Sequence, residues 1–545
     1  MKNFKYKIYI LASFLLFISC DDTEFLVEEP QTFYTSDNAF SSATQVDQVL
    51  ITLYSDLRNF RVNNELIKGR GTDIMNVPEF RGIGFADYSQ INSEDGSFNN
   101  IFNFHYKLIA TANTALFAAN LENIEWSSES EKAYAIAQAK FFRAYAHGIL
   151  AELFGGIPIV TELINEPRYD YVRASRAESY QFAIDELEAI LPDLPELTTQ
   201  SGRLVKGVAQ HYLSEFYLAL GTETGDDANF QKSVDYASLV IDGGTYSLMT
   251  SRFGSRADVA GKNVWWDLFQ MDNINYSDGN TESIWTFQID FDAFLAGDNE
   301  SFLNYPRNFM PVYRAIPGVI GTAEDVGGRG VAFDAPTPYT SDLIWEGSLE
   351  VGDERNTEYN IRRIIYYNDP AEPANFGNPV PQNVLDEANA GKGWIYPIFN
   401  KLTTDLFVGL DQGQDRSNLF RDEYAIRLPE TILIRAEAYF RMSDNQKAAD
   451  DINMIRDRVN ATLIAAGDVD LDFILDERAR ELFIEESRWN TLLRMGGTVA
   501  VDRIRTYAKN DITRTTLTTD FNLWPIPQSV IDRNKDVKLE QNPGW

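Results

Sequence analysis

The hydrophobic pattern is densest between Glu131 and Phe154. Those 24 residues contain no Gly or Pro except Gly148, and as a helix they would run roughly 36 Å at 1.5 Å per residue. Ala, Phe, Tyr, Ile and Leu occupy almost every side. Only Lys140, Arg143 and His147 make a polar line. A helix apolar nearly all round is buried on most of its surface. Gly155-Gly156 and then Pro158 end it. The spacing therefore predicts one central helix around which the chain packs.

Other segments carry the same period. Phe40, Val46, Leu50, Tyr54 and Leu57 follow Ser36-Asp37, which can cap a helix running to about Asn59. Phe102, Tyr106, Ile109 and Asn113 mark a second helix, and further helices read at about Arg176–Leu191, Lys206–Leu220 and Asn229–Ile241. Ala209, Leu213, Tyr217 and Gly221 pair with Ser233, Ala237 and Val240. Ile432, Ala436 and Tyr439 pair with Ala448, Ile452 and Ile455. Such pairs resemble degenerate tetratricopeptide hairpins. A last helix is expected over about Asp472–Met495, with Leu475, Ala479, Leu482, Glu486, Trp489 and Leu493 on one stripe. Glu477, Arg478, Arg480, Glu481, Glu485 and Arg488 surround the stripe and read as a structural ion-pair network.

Between about 243 and 420 the helical period fades and Gly, Pro, Asn and Asp become frequent. Glu282–Ile289 alternates like a short strand. The fold expected is mostly α: a helical scaffold with tetratricopeptide-like hairpins and a loop-rich insertion holding a few short strands. Its parts are a signal segment 1–19, a tether 20–35, a helical region 36–242, a loop-rich region 243–420 and a helical region 421–545.

Composition narrows the function. Of 545 residues, 81 are acidic and 48 basic, a net charge of −33; that argues against nucleic acid, whose binding needs clustered cations. Aromatics are 13 % of the chain, which suits sugar binding and a helical core equally. Cys20 is the only cysteine, so no intrachain disulfide is expected. Lys2, Lys5 and Lys7 precede an apolar run from Ile8 to Ile18 that is too short to span a bilayer and reads as a secretory signal. Ser19-Cys20 resembles a lipobox despite Phe17, so Cys20 is expected to carry lipid. At about 0.8 kcal/mol per buried CH2, two or more acyl chains anchor stably. Asp21, Asp22 and Glu24 follow it. Only His105, His147 and His211 are present, and no nucleophile elbow, phosphate loop or zinc spacing appears. An enzyme is not expected, since so many carboxylates make any one pair uninformative.

Ala139-Lys140-Phe141-Phe142-Arg143-Ala144-Tyr145, then Leu153-Phe154-Gly155-Gly156-Ile157-Pro158 and Val160-Thr161-Glu162, resemble the hallmark of the SusD/RagB family. These are surface lipoproteins that capture nutrients, mainly glycans, beside an outer-membrane transporter. The resemblance continues at Glu282–Phe287, Asp353-Glu354-Arg355, Lys401, Leu428–Tyr439, Ile452–Arg458, Glu477–Leu482, Glu485–Trp489, Leu523–Gln528 and Gln541–Trp545. Phe102, Glu486 and Thr491 depart from the family's usual Trp, Gly and Asp. The resemblance implies a lipid-anchored outer-membrane protein at the cell surface. It would bind an oligosaccharide and pass it to a SusC-like TonB-dependent transporter without catalysis. It also implies surface export from the acidic stretch after Cys20. A surface glycoside hydrolase and a structural or adhesion lipoprotein with helical repeats are the other readings.

A pyranose needs a flat ring against its C–H face and polar groups around its edge. The ligand-binding candidates are Asp73, Arg81, Phe85 and Tyr88 in the long stretch Gly69–Asn100, with Trp265, Trp266, Tyr276, Tyr305 and Trp345 in the loop-rich region. No cofactor is expected. A structural calcium ion would suit acidic loops, although no EF-hand spacing is present.

Overall fold

The computed structural model describes residues 39–81, 84–518 and 521–545. The signal segment, Cys20, the tether and the Ser36-Asp37 cap lie outside the described residues.

The central helix is α3, Glu129–Phe154, and it sits between α2, Gly96–Ala119, and α4, Arg176–Ile190. Ser128 caps it by accepting from the Glu131 amide at 3.1 Å. Every residue from Phe141 to Phe154 is buried. That burial includes Arg143 and His147, so of the polar line of the sequence reading only Lys140 keeps some exposure. Arg143 instead pairs with Glu186 at 2.6 Å and donates to Asn113 Oδ1 at 2.9 Å. His147 uses both ring nitrogens, Nδ1 toward the Arg143 carbonyl and Nε2 toward the Val160 amide.

The array opens with α1, Ala43–Asn63, capped by Ser42. It continues beyond α4 with α5, Lys206–Thr224, and α6, Asp227–Ile241, then α7, Leu428–Arg441, and α8, Asn445–Arg458. Neighbours in this order pack on one another from α2 onward, and α6 packs directly on α7. The loop-rich region is thus an insertion between two adjacent helices of one scaffold. Small residues set the spacing: a Cβ on Gly148 would lie 2.2 Å from Phe216 of α5, and one on Gly221 2.7 Å from Phe230 of α6. One hydrophobic cluster runs from Leu50 through Tyr305 to Ile526, so the three regions share a core. The C-terminal strap crosses the end of α3: the Trp524 amide donates to the Leu153 carbonyl at 2.7 Å, and Asn542 Nδ2 to the Phe154 carbonyl at 2.8 Å.

Strands are few. Ser283–Phe287 (β1) pairs antiparallel with Glu423–Arg427 (β2), and all ten residues are buried. The short strand expected over Glu282–Ile289 is thus present. Both of its faces are covered: α5 and the Trp285-centred rings lie on one side and buried ion pairs on the other. Two-residue pairs join Met75–Asn76 to Ala335–Pro336 and Ile361–Arg362 to Ile398–Phe399.

The expected helix over 472–495 is two helices, α9, Leu471–Leu482, and α10, Arg488–Arg494. Ile484 between them has φ +68°, an unfavourable region for a β-branched residue. The chemistry of the carbonyls explains the break. In a continuous helix the Glu481 carbonyl would accept from the Glu485 amide. Here it accepts from Lys401 Nζ and Arg427 Nη2, both at 3.2 Å, and the Ile484 carbonyl accepts from Lys68 Nζ at 3.0 Å. Buried cations take the place of helical amides.

Candidate functional site

The motif carboxylates and arginines converge, but in the interior. Asp353, Glu282, Glu350, Glu477, Glu481 and Glu485 link with Arg355, Arg427, Arg456, Arg458, Arg480 and Lys401 at 3.5 Å or less. Six carboxylates face six cations, so the set is neutral as a whole, which is how a buried charge cluster avoids a large desolvation cost. Burial pushes Glu477 upward, but Arg355, Arg480 and Arg456 outweigh it and hold it at about 2. Of the cluster expected around α9, this network holds Glu477, Arg480, Glu481 and Glu485 and is enlarged by Glu282, Glu350, Asp353, Arg355 and Lys401 of the insertion; Arg478 and Arg488 pair instead with Glu486, and Arg488 also with Asp73.

Most of the ring residues singled out from the sequence are also interior. Trp265 lies beneath Arg427, Arg458 and Lys401, with the cations 5.3–5.5 Å from its ring, a cation–π cover on the charge network. Trp266 is buried against Arg256, Lys262 and Arg252. Tyr305 accepts from Lys68 Nζ at 2.9 Å, and Trp345 donates to the Thr340 carbonyl at 3.0 Å. Tyr276, half-buried, donates to the Thr245 carbonyl at 3.0 Å. Phe85 and Tyr88 pack on each other and on Trp489, and Tyr88 donates to the Gly71 carbonyl at 2.7 Å. Asp73 is fully buried; burial raises its carboxyl, but Arg488 and Arg503 overcome that and bring it to about 2. The stretch 69–77, read from the sequence as part of a ligand-binding loop, is core.

Arg81 is the exception. It is exposed at the end of the turn Glu79–Arg81, and it gathers a second set of residues. Its guanidinium lies 4.0 Å from the Phe333 ring centroid and 4.7 Å from that of Phe80, and Nη2 donates to the Val331 carbonyl at 2.8 Å. Trp394 stands 5.0 Å from Phe80 at 60°. Arg307 lies over Phe333 at 5.6 Å, and Arg314 donates to the Gly330 carbonyl at 2.5 Å. Phe80, Phe333 and Trp394 are half-buried, whereas Arg307, Arg314 and Arg329 are exposed.

Backbone hydrogen bonds hold this surface rigid. The Phe80 amide donates to Lys392, Val312 to Trp394, Val331 to Arg307 and Phe333 to Asn308, at 2.9–3.2 Å. A Cβ on Gly330 would lie 2.0 Å from the Pro311 carbonyl oxygen, so the two limbs of the 307–334 loop touch only because that residue is Gly. Half-exposed flat rings beside fixed polar groups are the arrangement a pyranose needs. Arg307, Arg314 and Phe333 were missed in the sequence. The legible signal was that Ser301–Ala323 holds two arginines and no acidic residue in a strongly acidic chain.

Other cavities differ in chemistry. A cleft of about 570 Å3 runs between α2 and the segment 158–171 and is mainly apolar, lined by Tyr106, Ile109, Val160 and Leu163. Its Arg168 is already paired with Glu162 and Asp170. A polar cavity of about 20 Å3, bounded by Arg61, Glu152, His211, Glu215 and Glu430, has room for about one water. Burial raises Glu152 and Glu430 to about 8, with Glu215 adding to both. Burial lowers His105 and His147 to about 4 and His211 to about 3. Among the described residues, no group of three or more His, Cys, Asp and Glu side chains could hold a metal ion, and no helix is long and apolar enough to cross a membrane.

Residues 281–545 match the model of the SusD family, and residues 24–218 match a family model described as starch-binding, associating with the outer membrane. A SusD-like protein of Bacteroides ovatus is 28 % identical over 307 residues, 52 % of this chain and 50 % of that one. SusD-like protein P2 of Formosa agariphila is 22 % identical over 99 % of this chain and 100 % of its own. The starch-binding protein SusD of Bacteroides thetaiotaomicron is 24 % identical over 78 % of this chain and 75 % of its own. Among solved structures, a SusD homologue from B. thetaiotaomicron superposes with TM-score 0.70 at 18 % identity, covering 94 % of this chain and 98 % of that one. A laminarin-binding SusD-like protein gives 0.66 at 21 % identity, covering 93 % and 100 %. The structural likeness establishes the fold, and the two family models together take in both ends of the scaffold and the insertion from residue 281 onward. The chain belongs to the SusD/RagB family.

Proposed function

We propose that the protein is a lipid-anchored receptor at the cell surface that captures an oligosaccharide intact. It delivers the sugar to a SusC-like TonB-dependent barrel in the outer membrane. The observation that carries this reading is the rigid, half-exposed set of Phe80, Phe333 and Trp394 around Arg81. Rings can cover the apolar face of a sugar while guanidinium and carbonyl groups meet its hydroxyls. Relatives described as starch-binding and laminarin-binding support a glycan as the ligand class, and the outer-membrane description of one family model supports the location. Cys20 supplies the anchor.

Binding without bond cleavage agrees with where the perturbed groups are. A strongly shifted carboxyl in a cleft marks a catalytic candidate. Here the carboxyls raised to about 8, Glu152 and Glu430, border a cavity of about 20 Å3 that no sugar ring could enter. The full chain, purified in detergent, is titrated calorimetrically with a panel of oligosaccharides while released reducing ends are measured. Saturable heat without new reducing ends is expected. Progressive release of reducing ends would sink the receptor reading.

A further inference from the structure

The aromatic surface is also where the acidity of the chain fails. With 81 acidic against 48 basic residues, an exposed arginine has carboxylates in excess to pair with. The exposed Arg168 and Arg329 each have one within 4.0 Å, as do the half-buried Arg58, Arg70, Arg256 and Arg363. Among the described residues Arg81, Arg307 and Arg314 have none; the exposed Arg505 and Arg533 have none either, but they lie apart from the ring surface, one at the Leu517 carbonyl and one at the apolar cleft. Carboxylates of the neighbouring segments are already engaged: Asp334 is gripped by Arg70 through two hydrogen bonds of 2.7 and 2.6 Å, Asp415 by Arg329, and Glu79 by Lys509 at 2.8 Å. Arg81 and Arg314 are partly satisfied by carbonyl oxygens. Among the described residues the Arg307 guanidinium has no hydrogen bond or ion pair and lies over the Phe333 ring.

These cations feel one another. Burial, then Arg307 and Arg314, pull Arg81 below the usual arginine range, and burial followed by Arg329 does the same to Arg314. Like charges held together on a rigid loop are relieved by an anion and by no neutral ligand. The guanidinium fork matches the planar oxygens of a carboxylate or the tripod of a sulfate. Resting on the glycan-capture reading, we infer that this surface takes an anionic oligosaccharide, whose carboxylate or sulfate groups meet Arg81, Arg307 and Arg314 while its rings lie against Phe80, Phe333 and Trp394.

The net charge of −33 does not forbid this. At about 0.15 M salt the Debye length is about 8 Å, so distant carboxylates are screened and the nearby cations dominate. The same argument sets the salt dependence. At about 1 M the screening length falls to about 3 Å, and attraction by the cluster weakens.

The test uses the full chain in detergent and four probes: tetragalacturonate, its methyl ester, a sulfated carrageenan tetrasaccharide and neutral laminaritetraose. Arg307→Gln is the variant of choice, because Arg307 makes no side-chain hydrogen bond whose loss would disturb the loop. Tetragalacturonate or the sulfated probe should bind at least about tenfold more tightly than the neutral probes, and Arg307→Gln should remove about tenfold of that affinity. Binding should weaken toward 1 M salt. Preference for tetragalacturonate over its ester identifies carboxylate; preference for the carrageenan probe identifies sulfate. Neutral probes binding as tightly as charged ones, with Arg307→Gln silent, would overturn the anionic inference and leave glycan capture standing. Binding of none of a broad glycan panel would remove both.

Discussion

Asp73 accepts a hydrogen bond from Arg488 Nε at 3.1 Å, across 415 positions of chain, and a second arginine, Arg503, donates to the same carboxylate at 2.9 Å. All three side chains are buried. The carboxylate therefore clamps the loop after α1 to the C-terminal helices, and its work is structural.

Replacing it by Asn leaves two arginines without their shared counter-charge. Removing one partner of a buried pair costs ~3 kcal/mol or more, so Asp73→Asn should lower the denaturation midpoint clearly while the folded fraction keeps its ligand affinity. The pH dependence has a definite sign. The Asp73 carboxyl is held at about 2, below the ordinary value of about 3.9. Its contribution is complete above about pH 4 and is lost as pH falls toward 2. Denaturation between pH 5 and 2 should show a shallower loss in the variant than in the parent.

Glu430 titrates in the other direction. Burial lifts it to about 8, with Glu215 and Glu486 adding to the shift, so the folded state retains a proton that the unfolded state releases. That contribution is complete below about pH 4.5 and is lost as pH rises through 8. Glu430→Gln fixes the neutral form. Its melting temperature relative to the parent should improve between pH 5 and pH 8; an equal difference at both would sink the assignment.

Gly148 is the glycine that the helix pattern could not explain. In an exposed helix Gly→Ala would gain ~1 kcal/mol. Here the new methyl meets the Phe216 ring at 2.2 Å, and overpacking of that kind costs ~1–3 kcal/mol. Gly148→Ala should destabilise, and adding Phe216→Leu should recover part of the loss in chemical denaturation.

Two aromatic variants separate surface from core. Phe80→Ala removes a half-exposed ring at the proposed sugar surface and should weaken glycan binding with a small change in stability. Trp345→Ala opens a cavity where the indole donates to Thr340, and a buried Trp→Ala costs ~3–5 kcal/mol. Its binding, measured on the folded fraction, should match the parent.

The anchor has its own check. Cys20→Ser should abolish incorporation of radiolabelled fatty acid and release the protein from membranes. Continued labelling would mean that another residue carries the lipid.

Local periodicity was enough to define the helical frame. The unbroken apolar surface of α3, the caps and glycines at helix ends, and the paired small and aromatic stripes of α5 to α8 are properties of neighbouring residues, and hydrophobic burial acts on them wherever they lie. The charged motif around α9 was likewise legible as structural, because paired charges three and four apart announce themselves. What the pattern could not convey was position along the third dimension. The break at Ile484 depends on Lys68, Lys401 and Arg427 reaching carbonyls from far along the chain, and nothing local to residues 483–487 signals it. Trp265 and Trp345 read as surface rings because tryptophan in a Gly- and Asn-rich stretch is as compatible with a loop as with a core. Only packing showed which rings face inward. The sequence alone thus determined a family and a helical architecture. The tertiary structure decided which arginines are paired and which are free, since an ion pair is a matter of a few ångströms between residues whose separation in sequence is arbitrary.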